Sequence, residues 1–313
     1  MQILVSEKFV LNPVVSVVIP SYNRKEFVVD TINSVLNQEC NFDFEIIIGD
    51  DCSIDGVREV LSDFQQTYPE KIKLLFYDKN IGLAANWATC IKECCGKYIA
   101  NCDNDDYWHE KSKLQRQVDF LEQNPEVGLL STGFQTIAPN GKIKRSSIPN
   151  SKDNKELIRT QCNSSIIYRA ELLFKYVKLD DYITYQFPLQ DWNTWLFLSE
   201  HTKFDCLPII ATTMRLNNES ITRVESYEAI INRGKKGKIM YKYMAEQLNF
   251  PYIEQDDEDI TNEHLLRLAF KKMDYLRAKE FAGQMHKTTS KTKATKNRLI
   301  FYAFCLLNRF KNL

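Results

Sequence analysis

Across the first 130 residues, short apolar runs alternate with stretches whose apolar residues recur at helical spacing, and no other feature constrains the fold as strongly. VVSVVIP (Val14–Pro20) is apolar almost throughout, as a strand buried on both faces must be. Lys25 to Asn37 then sets Val28, Ile32 and Val35 on one helical stripe. FEIIIGD (Phe44–Asp50) predicts a second strand, Gly56 to Tyr68 a helix, and IKLLFY (Ile72–Tyr77) a third strand. Leu83 to Cys95 predicts a helix, KYIANC (Lys97–Cys102) a fourth strand, Glu110 to Gln123 a helix stopped before Pro125, and VGLLST (Val127–Thr132) a fifth strand. Such alternation implies an α/β fold: a Rossmann-like, mostly parallel sheet sandwiched by helices. Ligands of these sheets bind beyond the carboxyl ends of the strands. Polar clusters follow four of the strands there: SYNR, DDCS, DKNIG and DNDD.

The pattern changes from Phe134. PNG (Pro139–Gly141) reads as a turn between two extended runs, and NSSIIYR (Asn163–Arg169) as a strand leading into a helix. LQDWNTWLFLSE (Leu189–Glu200) predicts a helix and FDCLPIIATTMRL (Phe204–Leu216) an extended segment. Beyond about Ser226 the chain is helical and basic. With 313 residues, the division expected is a catalytic domain over 1–225 and a helical extension over 226–313.

Charge supports that division. Lys+Arg and Asp+Glu both total 41, but residues 1–225 hold 24 against 31 (24 − 31 = −7) and residues 226–313 hold 17 against 10 (17 − 10 = +7). The net balance disfavours a nucleic-acid partner. Nine cysteines, odd in number and without a C-x-x-C pair, give no zinc or redox spacing. Cys90, Cys94 and Cys95 fall partly on one helical face and read as small buried hydrophobes. The first residues lack the basic and apolar regions of a signal peptide. No apolar run approaches the roughly 18–20 residues of a membrane span. A reducing cytoplasm is the location expected.

Four motifs carry chemistry. DNDDYW (Asp103–Trp108) packs three carboxylates into four residues after an apolar strand. Such crowding needs a cation or donors to offset it, and Mg²⁺ commonly takes one or two carboxylates plus substrate phosphates. The plain alternative is a solvated acidic turn. In GDDCSIDG (Gly49–Gly56), Asp50 is placed to accept from a base or ribose, while Ser53 or Asp55 caps the next helix. In PSYNR (Pro20–Arg24), Tyr22 can stack on a nucleobase and Arg24 can offset phosphate charge, unless the segment is a simple turn. In QDW (Gln190–Trp192), Asp191 opens a helix, either as a general base beside Trp192 or as a partner of the helix dipole.

Together these segments resemble the family 2 glycosyltransferases of the GT-A fold, over roughly Val14 to Thr222. VSVVIPSYNR is similar to the family's first strand and nucleotide loop. IIIGDDCSIDG resembles its DDGS-x-DG signature, with Cys52 in place of glycine. NIGLAANWA (Asn80–Ala88) resembles its N-x-G segment, DNDDYW its D-x-D metal motif, and QDWNTWLFL its acidic base helix with Gln190 replacing the first acid. MRLNNES resembles a segment that often carries histidine, with Arg215 aligned and Asn217 where histidine would stand.

The resemblance implies a metal-dependent, inverting transferase that moves a sugar from a nucleotide-diphosphate donor, chiefly a UDP-sugar, to a hydroxyl of a glycan or lipid-linked glycan in surface polysaccharide synthesis. Pro20, Tyr22, Arg24, Asp50, Asn86, Asp103 and Asn104 would bind the donor. Asp105 and Asp103 would hold Mg²⁺ or Mn²⁺, and Asp191 would be the catalytic base. Trp192, Arg215 and Asn217 would line the acceptor or diphosphate loop. Competing readings are a sugar nucleotidyltransferase and a non-catalytic nucleotide- or glycan-binding subunit. The first would need a glycine-rich loop where PSYN stands; the second would not need Asp191. The tail from Lys287 to Leu313 sets seven basic residues around LIFYAFCLL. It suits either an interfacial helix on the inner face of an anionic membrane or a terminal helix packed on the protein.

Overall fold

The central strands form where apolar residues run without interruption, because only a sheet covered on both faces can bury every side chain of such a run. In the computed structural model, which describes residues 1–10, 12–151, 153–216, 226–249, 254–272 and 274–284, every residue of β2 (Val15–Ser21) and β3 (Phe44–Asp50) is buried. Asn217 and the segment from Lys287 to Leu313 lie outside the described residues.

The chain order is β1 (Gln2–Leu4), β2, α1 (Lys25–Leu36), β3, α2 (Val57–Thr67), β4 (Ile72–Phe76), α3 (Leu83–Lys92) and β5 (Tyr98–Asn101). There follow β6 (Tyr107–Trp108), α4 (Lys113–Gln123), β7 (Val127–Ile137), β8 (Ile143–Ser147), α5 (Asn154–Thr160), a 3₁₀ turn (Asn163–Ser165) and β9 (Ile167–Arg169). Three helices, α6 (Ala170–Tyr176), α7 (Leu179–Tyr185) and α8 (Gln190–Ser199), precede the long β10 (Lys203–Arg215). The strands line up as β1-β4-β3-β2-β5-β9-β7-β10-β6, with β8 on the side of β7.

The block β4-β3-β2-β5 is parallel, and so is the β7–β10 pair. Its register puts Ser21 opposite Asp50 and Asp50 opposite Phe76, so the strands end level and their loops share one rim. Val28, Ile32 and Val35 of α1 and Val57 and Leu61 of α2 pack on this block together with Val17, Ile46 and Leu74.

Some features depart from the expected pattern. β9 lies antiparallel between β5 and β7 and so interrupts the parallel run. VGLLST continues to Ile137 and folds back through Gly141, at φ +76°, into β8. β10 carries Pro208 at an exposed, bulged position where no ladder donor is lost. Helix α3 ends at Lys92, so Cys95 is exposed rather than buried, while Cys90 is buried.

The chain divides into two compact units, Met1–Asn217 and Asn218–Leu313. In the second, α9 (Tyr227–Leu248), α10 (Glu254–Lys271) and α11 (Tyr275–Gln284) enclose a small core of Ile230, Leu265, Leu266, Leu268, Ala269, Ala278 and Phe281. Gly234 lets α9 approach Thr261 of α10, since a Cβ there would lie 2.4 Å from the threonine hydroxyl.

Candidate active site

The rim above the parallel block is built by two loops tied to each other. The loop after β2 donates from the Asn23 backbone N–H to the Ser53 hydroxyl (2.9 Å), and the Asn23 side chain accepts from the Ile54 N–H (2.9 Å). Asp55 caps two helices at once, accepting from Lys25 N–H of α1 (2.8 Å) and Val57 N–H of α2 (3.1 Å). Ser53 therefore joins the loops and Asp55 does the capping. Tyr22 stands above this junction with 47 % of its surface exposed, leaving its ring free to stack.

Below it, Asp50 is fully buried at the end of β3. Its Oδ2 accepts from Arg58 Nε (2.5 Å) and the Ser53 N–H (3.2 Å), and Arg58 also donates to the Tyr77 carbonyl. Asp50 Oδ1 has no hydrogen-bond partner among the described residues. A buried carboxylate oxygen without a donor is costly, so it marks where a ligand N–H or O–H would be taken up. Asp51 turns the other way: it accepts from Ile81 N–H (2.6 Å) and Gly82 N–H (2.9 Å) and fixes the DKNIG loop. Burial raises its carboxyl above the ordinary range.

Beyond β5 the acidic segment folds back over the sheet. Burial and then the charge of Asp105 push the Asp103 carboxyl up to about 7, with a further contribution from Asp191. Asp103 accepts from the Asn163 amide (2.8 Å) and donates its backbone N–H to Ser164 (3.0 Å). Asp105 faces Arg24 at 3.7 Å. Asp106 is buried, accepting from the Ser164 hydroxyl (2.6 Å) and the Arg215 N–H (3.2 Å), so it anchors the loop. Its carboxyl is raised by burial first and by Asp103 and Asp105 next.

Asp191 opens α8 and accepts from its neighbour, the Trp192 N–H (2.8 Å). Burial raises its carboxyl too. Leu189 and Gln186, both left-handed at φ +58° and +53°, redirect the chain just before α8 and so set where Asp191 begins. Asp105 and Asp191 each lie within electrostatic reach of Asp103.

Several residues expected at a ligand have partners within the scaffold. Pro20 lies inside β2 opposite Gly49. Asn86 is 1 % exposed and donates to the Gly49 carbonyl (2.7 Å), because Gly49 leaves no room for a side chain beneath α3. Asn104 donates to the Ser21 hydroxyl (3.2 Å). The Arg215 guanidinium is taken up by the Asp105 carbonyl (3.1 Å) and Asp30 (2.6 Å), stacked against Tyr107 and Phe27. It braces the acidic loop from below. Conversely, Arg58, Asn163 and Ser164 position the carboxylates without having been singled out. The NSS triplet was legible as the start of a strand, but its two polar contacts cross about 60 residues of sequence and leave no local signal.

Among the described residues, no three His, Cys, Asp or Glu side chains converge to hold a metal by themselves. Asp103 and Asp105 offer a two-carboxylate half-shell, which fits Mg²⁺ or Mn²⁺ completed by phosphate oxygens. No helix of the described residues is long and apolar enough to cross a membrane.

The profile of a family described as Glycosyl transferase family 2 matches residues 16–187. TuaG of Bacillus subtilis, named as a teichuronic acid biosynthesis glycosyltransferase, is 36 % identical over 129 residues, covering 41 % of this chain and 50 % of the relative. EpsE of Bacillus subtilis, named as a glycosyltransferase, is 34 % identical over 122 residues, covering 39 % and 43 %. The chain thus spans half or less of the length of these relatives. Among solved structures, S. aureus TarS in complex with UDP-GlcNAc superposes with a TM-score of 0.59 at 18 % identity, covering 87 % of this chain and 82 % of that one. The mannosyltransferase PcManGT from Pyrobaculum calidifontis, in complex with GDP-Man and Mn²⁺, gives 0.54 at 14 %, covering 95 % and 81 %. At such identities the likeness is one of fold.

Proposed function

The chain belongs to glycosyl transferase family 2, and from that premise we propose that it transfers a sugar from a nucleotide-diphosphate donor, a UDP-sugar, to a hydroxyl of a glycan or lipid-linked glycan, inverting the anomeric carbon. The observation that supports this reading is the buried acidic chemistry beyond the parallel block: Asp50 with an unpartnered Oδ1 at the end of β3, and Asp103 beyond β5 with its carboxyl raised by burial, by Asp105 and by Asp191. Solved relatives of the same fold hold UDP-GlcNAc or GDP-Man, which supports a nucleotide-sugar donor. The names of curated relatives support surface polysaccharide synthesis as the setting. The catalytic unit in this reading is Met1–Asn217, with the helical unit as an extension.

Each group has a task. Tyr22 stacks on the base, and Asp50 Oδ1 accepts from it, while Arg58 offsets the buried charge. Asp103 and Asp105 would hold Mg²⁺ or Mn²⁺. When bound, that ion supplies positive charge where the departing nucleotide gathers negative charge. Arg24, beside Asp105, adds a fixed cation to the same place. Asp191 takes the proton of the acceptor hydroxyl as it attacks; burial strengthens it as a base. Trp192 beside it lines the acceptor side.

The test is UDP release by the full chain from a panel of UDP-sugars, with and without Mn²⁺. Asp191→Asn is expected to lower turnover about 10²–10⁴-fold while leaving donor binding unchanged. Asp105→Ala is expected to weaken metal-dependent donor binding. Full turnover in Asp191→Asn would remove the base assignment.

A further inference from the structure

The hairpin of β7 and β8 carries a feature that the proposed reaction leaves unused. β8 is an outer strand whose residues are almost all exposed, and with Lys142 just before it, it presents Lys142, Lys144 and Arg145 to solvent. Among the described residues none of the three forms an ion pair, and Arg145 has only a 3.4 Å hydrogen bond to Ser147. Three unpaired cations in four residues stand out in a stretch, residues 1–225, whose net charge is −7 (24 − 31). Ile143 is 54 % exposed, but a register shift at Lys144 sets it opposite Ile137, whereas Arg145 and Ser147 pair with Thr136 and Phe134; one face therefore offers a guanidinium beside a hydroxyl, and Ile143 lies on the other.

The register fixes where this arm sits. Arg145 pairs with Thr136 of β7, and Thr136 pairs with Met214 of β10. The next residue, Arg215, holds the Asp105 carbonyl. With strands about 4.8 Å apart, Arg145 lies two strands, roughly 10 Å, from the strand that braces the acidic loop. The turn at Pro139–Gly141 leaves the sheet at the end where Ile137 pairs with Arg215, which is the reactive end.

We propose that this hairpin is a docking arm for an anionic acceptor: a glycan chain bearing carboxylate or phosphate groups, whose acidic residues bind Lys142, Lys144 and Arg145 while its terminal hydroxyl reaches Asp191. This rests on the transferase reading above and adds the acceptor's charge class to it. A guanidinium reads either oxyanion in bidentate fashion, and the lysines act as point charges, so the shared chemistry is the repeated anion.

The test compares the full chain with a Lys142→Gln, Lys144→Gln, Arg145→Gln variant and with a charge-conserving Lys142→Arg, Lys144→Arg, Arg145→Lys variant. The probes are a labelled oligogalacturonate, a glycerol-phosphate oligomer, neutral dextran, and phosphatidylglycerol vesicles. Expected is binding of at least one anionic oligomer over dextran, weakened at 0.5 M NaCl, lost by roughly tenfold in the glutamine variant and kept in the charge-conserving one. The stronger of the two anionic oligomers identifies the charged group. UDP release from donor alone should be equal in all three proteins. Equal oligomer binding by the glutamine variant overturns the proposal, as does a loss confined to vesicles, which would make the arm a membrane contact. Self-association of the glutamine variant without any change in affinity also overturns it, since the cations would then only guard a sheet edge. Absence of UDP release in every protein would instead count against the transferase reading.

Discussion

Cys52 occupies a left-handed backbone conformation, φ +61°, at the place where the resembling signature has glycine. A side chain there is strained by about 1–2 kcal/mol, partly offset by the lower chain entropy of a non-glycine residue when unfolded. Cys52→Gly should therefore be neutral or stabilising by up to about 1 kcal/mol in urea unfolding. Asp103 gives a second test. Its carboxyl is raised to about 7 when folded, above its ordinary value of 3.8, so the folded chain holds an extra proton between those limits. Its contribution to stability is present at low pH and lost as pH rises through about 7. Asp103→Asn should thus stabilise the metal-free protein at pH 8, by roughly 2–4 kcal/mol, while abolishing activity. Residue type and position, after a strand for Asp50 and Asp103 and at the start of a helix for Asp191, were enough to single these three out as candidates. They could not say which way a side chain turns: Asn86 and Arg215 are as polar as the others, but each is spent on a backbone carbonyl.

Elements bring together what single residues cannot. Helix α4 seats the acidic loop through Lys113, which is buried, lies 3.9 Å above the Trp108 ring and donates to Gln117 (2.8 Å). Trp108 in turn donates to the Ser164 carbonyl (2.6 Å), next to the groups that hold Asp103. Desolvation lowers Lys113 from 10.5 to about 7. Between those values the unfolded chain binds more protons than the folded one, so stability rises with pH across that window. The stability of the wild type relative to Lys113→Met should therefore increase from pH 7 to pH 10, read by urea unfolding at several pH values. The element types of the first 130 residues were legible because both periods, two-faced strand and helical stripe, are written in apolar spacing. The antiparallel placement of β9 was not, since a run as short as IYR carries no signal of the direction in which it pairs. Nor was the length of β7 beyond Thr132, because it is set by pairing with β8 and β10.

At the scale of the whole molecule, the first unit gathers raised carboxylates into one rim, and a ligand that neutralises them should stabilise that unit as a body. UDP with Mn²⁺ at a hundred times its dissociation constant contributes about 2.7 kcal/mol. For a unit of this size that corresponds to a rise in Tm of roughly 5–10 °C. Thermal melts should show the metal-dependent part of this shift in the wild type and not in Asp105→Ala. Sheet order is the property least visible in the sequence: β4-β3-β2-β5 can be inferred only once these strands are known to share a carboxyl end. The two loops above β2 and β3 carry a last consequence. Asn23 holds Ser53 and Ile54, and Asp55 holds Lys25, so neither loop keeps its shape without the other. For anyone seeking a new nucleotide preference, they are one cassette: residues 20–25 and 50–57 must be exchanged together, and a library that varies only one of them samples broken sites.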